Sequence, residues 1–129
     1  MFETGLITFL NSCGALTAFV GTRIYPKVLP PETTLPAIAF NKISAVPDYS
    51  HDGGSDFTPI RMQFSCWADD PLEAKNVAME LKRQLSGYSG QLGDQEIGGA
   101  FVVMERDDID PMTGLYAEIV DIQFNNQGK

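Results

Sequence analysis

The sequence has few of the residues that most often carry chemistry. Its 129 residues include one histidine and two cysteines. Cys13 and Cys66 have neither CxxC nor zinc-ligand spacing. A disulfide between them is possible, but we expect two small buried thiols in a chain made in the cytosol. No GKS or GKT phosphate loop and no GxSxG elbow occurs. We therefore expect no enzyme activity, no cofactor and no bound metal.

Basic residues and long apolar runs are also scarce. Nine Lys and Arg face seventeen Asp and Glu, which gives a net charge of −8. Nucleic-acid-binding modules depend on cations that neutralise phosphates, so this charge disfavours one, but it suits a surface past which DNA slides. No apolar run approaches the ~18–20 residues of a membrane span. The first residues carry Glu3 where a secretory signal would be basic. We expect no membrane association.

Three segments have the periodicity of helices. The first places apolar residues on one stripe and has Gly14 as its expected end: Phe2, Leu6, Phe9, Leu10 and Cys13. Residues 15–21, "ALTAFVG", predict one or two further turns closed by Gly21. The strongest pattern is residues 69–87, where Asp70 stands before Pro71 and Glu73 as a helix cap.

Four segments alternate between apolar and polar residues and predict strands: 37–44, 60–67, 100–106 and 115–124. Arg23–Tyr25 predicts a short edge strand, and four prolines within residues 22–36 predict a stiff connector. Short links between neighbouring strands favour antiparallel pairing. We therefore expect one α+β domain over residues 1–129, with an antiparallel sheet of about four strands and two main helices packed on one face.

The loop between the first two of these strands holds the histidine. His51 stands beside Asp52, and Asp56 follows five positions on, so three metal ligands are within reach. A general base needs a second group to hold its ring, whereas His51 is followed closely by two glycines and matches no short metal motif. A solvated hairpin tip is the favoured interpretation. A small metal-dependent enzyme using this loop is the distant alternative.

Other polar and aromatic positions are candidates for contacts. The acidic cluster 107–110 looks like a calcium loop but lacks the glycine and glutamate at EF-hand spacing. Trp and Tyr are frequent at binding hot spots, although an ordinary core role is equally open for each. The candidate subunit or partner contacts are Arg23, Tyr25, Tyr49, His51, Asp52, Asp56, Phe57, Trp67, Asp108 and Asp110.

Several stretches, taken in order, resemble the tail-completion proteins of long-tailed bacteriophages, the tail terminator or head–tail joining group. No single piece is diagnostic, but their order and spacing fit nearly the whole chain. They are Arg23–Pro26, Leu35–Phe40, Pro47–Tyr49, Asp52–Gly53, Phe64–Ala68 and Glu73–Lys75.

The resemblance implies a non-enzymatic ring, commonly a hexamer, at the tail–head junction of the virion. Such a ring caps the tail tube at its final length and gives the head connector, or stopper, a surface to join. Its partners would be its own copies, the tail tube protein and the connector, while DNA passes through the bore unbound. The acidic charge suits a bore that repels DNA. The loops 45–59 and 107–114 are candidates for contacts with partners. The proline-rich segment Pro26–Pro36 is a candidate for packing on a neighbouring subunit. The alternative is another neck component or a tail assembly factor of similar fold.

Overall fold

A computed structural model describes residues 2–45, 59–93 and 95–126 of the chain. Within these residues three helices and six strands occur. The helices are α1 (Phe2–Asn11), α2 (Gly14–Val20) and α3 (Pro71–Leu85). The strands are β1 (Ile24–Pro26), β2 (Ala37–Ala45), β3 (Ile60–Ala68), β4 (Gly90–Leu92), β5 (Gln95–Ile109) and β6 (Tyr116–Asn126). No helix in this described part is long and apolar enough to cross a membrane.

The six strands form one sheet in the order β1-β2-β3-β6-β5-β4. All neighbours are antiparallel except β1, which runs parallel to β2. The prediction of about four antiparallel strands is therefore only partly right. β1 is the short edge strand that Arg23–Tyr25 predicts. β4 was missed because three residues with a glycine at the start carry no alternation that would reveal a strand.

All three helices pack on one face of the sheet, as predicted for the two main ones. The core residues of β3 alternate strictly with half-buried neighbours, and they are Ile60, Met62, Phe64, Cys66 and Ala68. The helices contribute their apolar stripes to the same cluster, with Leu6 and Leu10 from α1, Leu16 and Val20 from α2, and Leu81 from α3. We call the opposite side of the sheet the outer face.

The helix ends follow local signals, with one exception. Asp70 caps α3, since its carboxylate accepts hydrogen bonds from the backbone N–H groups of Leu72 and Glu73 at 3.0 and 3.1 Å. Gly21 ends α2 with φ at 59°. The prediction that Gly14 ends the first helix is wrong, because α1 stops at Asn11 and Gly14 begins α2.

β5 is much longer than the predicted segment 100–106. It runs to Ile109, so the expected loop 107–114 is reduced to the turn between β5 and β6. Asp is depleted in strands, which hid this extension from the sequence. The extension is held by pairing with β6, where Asp107 lies opposite Glu118 and Asp108 opposite Ala117.

Candidate functional site

Arg23 fastens the start of β1 to the end of the proline-rich connector. Its Nε donates to the carbonyl of Pro36 at 3.1 Å, and its Nη2 donates to the carbonyl of Phe19 at 3.2 Å. Both acceptors are neutral carbonyls, and the side chain is half-buried. Arg23 therefore has a clear structural task. Tyr25, the next candidate, lies half-buried on β1 opposite Ala39 of β2.

Trp67 lies on the outer face, in a groove that the proline-rich segment of this chain, Pro26–Pro36, helps to form. The groove encloses about 470 Å³. Residues 27–33 and Leu35 form one wall, Ala39, Ser65 and Trp67 the floor, and Asp110, Thr113 and Leu115 the other wall. Trp67 is half-buried there, with Val28 exposed at the rim. The Pro26–Pro36 connector thus lines a groove on its own sheet, and a partner-facing role for Trp67 stays a prediction.

The acidic candidates Asp108 and Asp110 do not converge on a shared site. Asp108 is exposed, lies 3.6 Å from the Arg106 guanidinium, and accepts a hydrogen bond from the Ile109 N–H at 2.8 Å. Asp110 shapes the turn, because its carboxylate accepts from the Met112 N–H at 2.9 Å and its backbone N–H donates to Leu115. Asp107 points to the other side of the sheet, towards Lys75. The three carboxylates therefore do not form a calcium loop.

The remaining predicted contacts lie outside the described residues: Tyr49, His51, Asp52, Asp56 and Phe57. The structure does establish that the strands on either side of this loop, β2 and β3, are antiparallel neighbours. The loop is therefore the connection of a hairpin, as the sequence predicts.

An ion pair on the outer face, between half-buried Arg61 and buried Asp121, was not predicted from the sequence. Arg61 on β3 donates from Nε to Oδ2 of Asp121 on β6 at 2.9 Å, and its Nη2 is 2.8 Å from the same oxygen. The Asp121 side chain is 3% exposed, and its Oδ1 has no hydrogen-bond partner among the described residues. The alternation of β6 placed Asp121 away from the helices, but nothing in the sequence showed that this position is buried.

Lysines of α3 hold the far end of β5 against the helix layer. Lys75 Nζ lies 3.2 Å from Glu118 and 3.7 Å from Asp107, and Lys82 Nζ lies 2.6 Å from Glu105. The hydrogen bond to Glu118 is the main reason that the pKa of Lys75 is raised, since it stabilises the charged ammonium. The end of β5 that includes Glu105 and Asp107 is thus tied to α3 by charge. Nearer its start, Ile97 and Ala100 of β5 lie in the hydrophobic core that α3 shares.

One edge of β5 is open, a feature the sequence analysis also missed. β4 pairs only with Gln95, Glu96 and Ile97, and the Gly87 N–H donates to the Ala100 carbonyl at 2.8 Å. Beyond Ala100, β5 therefore has β6 on one side and no strand of the described residues on the other. Three large apolar side chains are exposed along β5, Phe101 at 53%, Val103 at 44% and Ile109 at 49%. Open strand edges of this length are usually covered by a partner or protected against one.

The described residues offer little for covalent or metal chemistry. Cys13 and Cys66 are unpaired and buried, as predicted. Burial raises the pKa of both thiols, which keeps them in the unreactive protonated form. Among residues 2–45, 59–93 and 95–126, no group of three or more His, Cys, Asp or Glu could hold a metal ion. The features that this geometry does offer are surfaces: an open strand edge, a groove and an outer face that carries the Arg61–Asp121 ion pair.

The chain resembles known proteins both in its sequence profile and in its fold. The sequence profile of the family described as "Tail completion protein gp17" matches residues 4–125. No curated protein matches the chain significantly in sequence. The fold is similar to a chain in the structure described as "Virion of native gene transfer agent (GTA) particle", with a TM-score of 0.78 at 14% identity. That match covers 96% of this chain and 92% of the other. The chain therefore belongs to the tail completion protein gp17 family, whose members are structural proteins of phage tails.

Proposed function

We propose that this protein is the terminator of a phage tail, a ring that caps the tail tube at its final length and offers the head connector a surface to join. The observation that carries the proposal is the family match over residues 4–125. The likeness of fold to a chain of a virion particle supports it. In this role residues 1–129 act as one tail-completion domain, located at the tail–head junction, with no catalytic step.

The charge of the chain supports a position around the DNA path. A net charge of −8 repels phosphates, so DNA can move through a bore lined by such subunits without being held. A ring of identical subunits, a hexamer in this proposal, needs one heterologous contact repeated around an axis. Its two rims would then meet the tail tube protein on one side and the connector protein on the other.

Binding to isolated tail tubes tests this role directly. Purified protein should co-sediment with tubes that lack their head-proximal cap and should stop further addition of tube protein. Tubes that already carry the cap are the matched control and should bind none. A protein that ignores tubes but binds isolated connector would instead support the alternative, another neck component.

The His51 loop provides the test of the distant enzyme alternative. His51→Ala should leave tail completion unchanged if the loop carries no chemistry. Loss of tail completion in His51→Ala while tube binding and the folded fraction stay unchanged would support a metal or catalytic role and contradict the proposal, because a lost partner contact would weaken tube binding as well.

A further inference from the structure

We propose that the open edge of β5 is the surface by which one copy meets the next, and that it takes the opposite edge of the neighbour's sheet, formed by β1. The inference rests on the proposed function, because a ring repeats one heterologous contact. It adds which two surfaces make that contact and how the strands run.

The β5 edge presents unused backbone groups. The Asp110 N–H donates towards β6, to the carbonyl of Leu115 at 2.9 Å. Alternate residues of a strand turn their backbone groups to opposite sides, and the register between β5 and β6 has no shift from Glu105 to Ile109. Glu105, Asp107 and Ile109 therefore direct their N–H and C=O groups away from β6, where no described strand lies.

The strand directions select the partner edge. β5 is antiparallel to β6, β6 to β3 and β3 to β2, while β1 is parallel to β2, so β5 runs opposite to β1. Two copies placed side by side with their helices on the same side thus bring β5 against β1 in antiparallel orientation. Pairing of β5 with a second β5 requires a two-fold axis, which closes a dimer and leaves no surface to continue a ring.

The outlines of the two sheet edges are also complementary, since a short strand projects from one where the other is recessed. Following the pairing across the sheet, Tyr25 is level with Ala39, Ser65, Ile119 and finally Arg106. β1 therefore projects from one edge at the height where β5 lies open on the other. β4 projects beside the first residues of β5, beyond the height at which β1 ends. The projecting strand of one copy fits the recess of the next.

The charges of the two edges are opposite. Arg23 and the exposed Lys27 flank β1, whereas the facing stretch of β5 carries Glu105, Asp107 and Asp108 around Arg106. Continuing the register by one residue at each end of β1 places Arg23 level with Asp108, and it places Lys27 level with Met104, next to Glu105. Lys75, Lys82 and Arg106 offset the β5 carboxylates within the chain, but the three acidic side chains stay 45–76% exposed.

β1 itself is a weak hydrogen-bonding edge. Pro26 has no N–H, and the Ile24 N–H donates to the Thr22 carbonyl at 2.9 Å. Charge and side-chain packing must therefore supply most of the contact. Such an edge resists uncontrolled strand addition and associates only where the charges match. We expect the contact to weaken as salt rises from about 0.1 M to 1 M, where the Debye length falls from ~10 to ~3 Å.

A cysteine pair tests this contact in the full chain. Tyr25→Cys and Arg106→Cys place thiols at level positions on β1 and β5, at the separation of directly opposed strand residues. A mixture of the two single variants, oxidised alone and on tail tubes, should give a covalent dimer with one copy of each. The double variant should give a ladder that ends at the ring size, with less product at high salt.

The controls separate the possible failures. Met79→Cys on the exposed side of α3, combined with Tyr25→Cys, should give no ladder. Arg106→Cys linking efficiently to itself would show a two-fold β5 contact and overturn the inference. A ring seen by native mass spectrometry in which the Tyr25 and Arg106 positions never cross-link would overturn the edge contact but leave the proposed function standing. Absence of both the ring and tube binding would remove the proposed function itself.

Discussion

The guanidinium of Arg61 binds the carboxylate of Asp121 across two neighbouring strands, on the face of the sheet that carries no helix. The two side chains differ sharply in exposure, 37% for Arg61 and 3% for Asp121. Both contacts, at 2.8 and 2.9 Å, reach the same oxygen, Oδ2. Within the described part of the chain, Arg61 is the one cation paired with this carboxylate, and the second oxygen has no hydrogen-bond partner.

Arg61→Met should destabilise the protein by about 2–3 kcal/mol, because it leaves a buried carboxylate without its counter-ion. The loss is smaller than for a fully buried ion pair, since Arg61 is itself partly exposed to solvent. Urea unfolding at neutral pH measures this. Replacing both partners, in Arg61→Met with Asp121→Leu, should recover most of the lost stability, since no charge is then buried alone.

Arg83→Met is the matched control for that experiment. Arg83 also pairs with a buried carboxylate, that of Glu80, at 3.2 Å. Glu80 keeps a hydrogen bond from the Gln84 side chain at 2.6 Å, so we expect a cost of only about 0.5 kcal/mol. An equal loss in Arg61→Met and Arg83→Met would contradict the importance of the orphaned Asp121 charge.

Gly5→Ala should destabilise the protein, although alanine is the better helix former by ~1 kcal/mol. A Cβ at Gly5 of α1 would overlap the backbone of Leu92 and Gly93, so the helix could not approach β4 as closely. We expect a net loss of about 1–3 kcal/mol in urea unfolding. Gly14→Ala, also in a helix but with nothing near its Cβ, should be neutral or stabilising. The reverse order would mean that α1 and β4 are not in close contact.

The buried thiols should resist modification in the folded protein. Burial raises the pKa of Cys66 from its ordinary value of 9.0, so the unfolded chain loses this proton first as pH rises. The contribution to stability is complete below pH 9.0 and declines above it. Thiol titration should find both cysteines unreactive until denaturant is added, and Cys66→Ala should reduce the alkaline loss of stability. Rapid reaction of both thiols in native buffer would contradict the burial.

Trp67→Ala should harm folding or assembly more than His51→Ala. The indole is half-buried in the floor of the connector groove, so its removal should cost about 2 kcal/mol, less than the ~3–5 kcal/mol of a fully buried Trp. A surface change such as the one expected at His51 stays within about 0.5 kcal/mol. Thermal unfolding of both variants, beside a tube-binding assay, checks the order. Equal melting temperatures and equal tube binding would show that Trp67 anchors nothing.

The sequence predicted those elements whose signal is local. The cap at Asp70, the glycine that ends α2 and the alternation of β3 each depend on a few neighbouring residues, and each appears where it was predicted. The parallel pairing of β1, the length of β5 and the existence of β4 depend on distant partners. Asp107 and Asp108 look like loop residues in sequence, yet pairing with β6 places both in a strand, and Lys75 of α3 lies 3.7 Å from Asp107.

The candidate contact surfaces also divide into those that have a local signal in the sequence and those that depend on distant partners. Trp67 and Tyr25 were named as candidate contacts because aromatic residues on a strand stand out in a sequence, and their contact role stays a prediction. The open edge of β5 follows only from strand order, since the shortness of β4 decides which backbone groups lack a partner. Arg61 and Asp121 are separated by 60 positions, so their pairing required the β3–β6 register.

Electron cryo-microscopy of tail tubes incubated with the purified protein tests the central claim most directly. The account predicts a ring of identical copies, six in the proposed hexamer, at the head-proximal end of each tube. Neighbouring sheets in that ring should be joined edge to edge through β5 and β1. Bare tube ends in the presence of excess protein that remains strictly monomeric would contradict it.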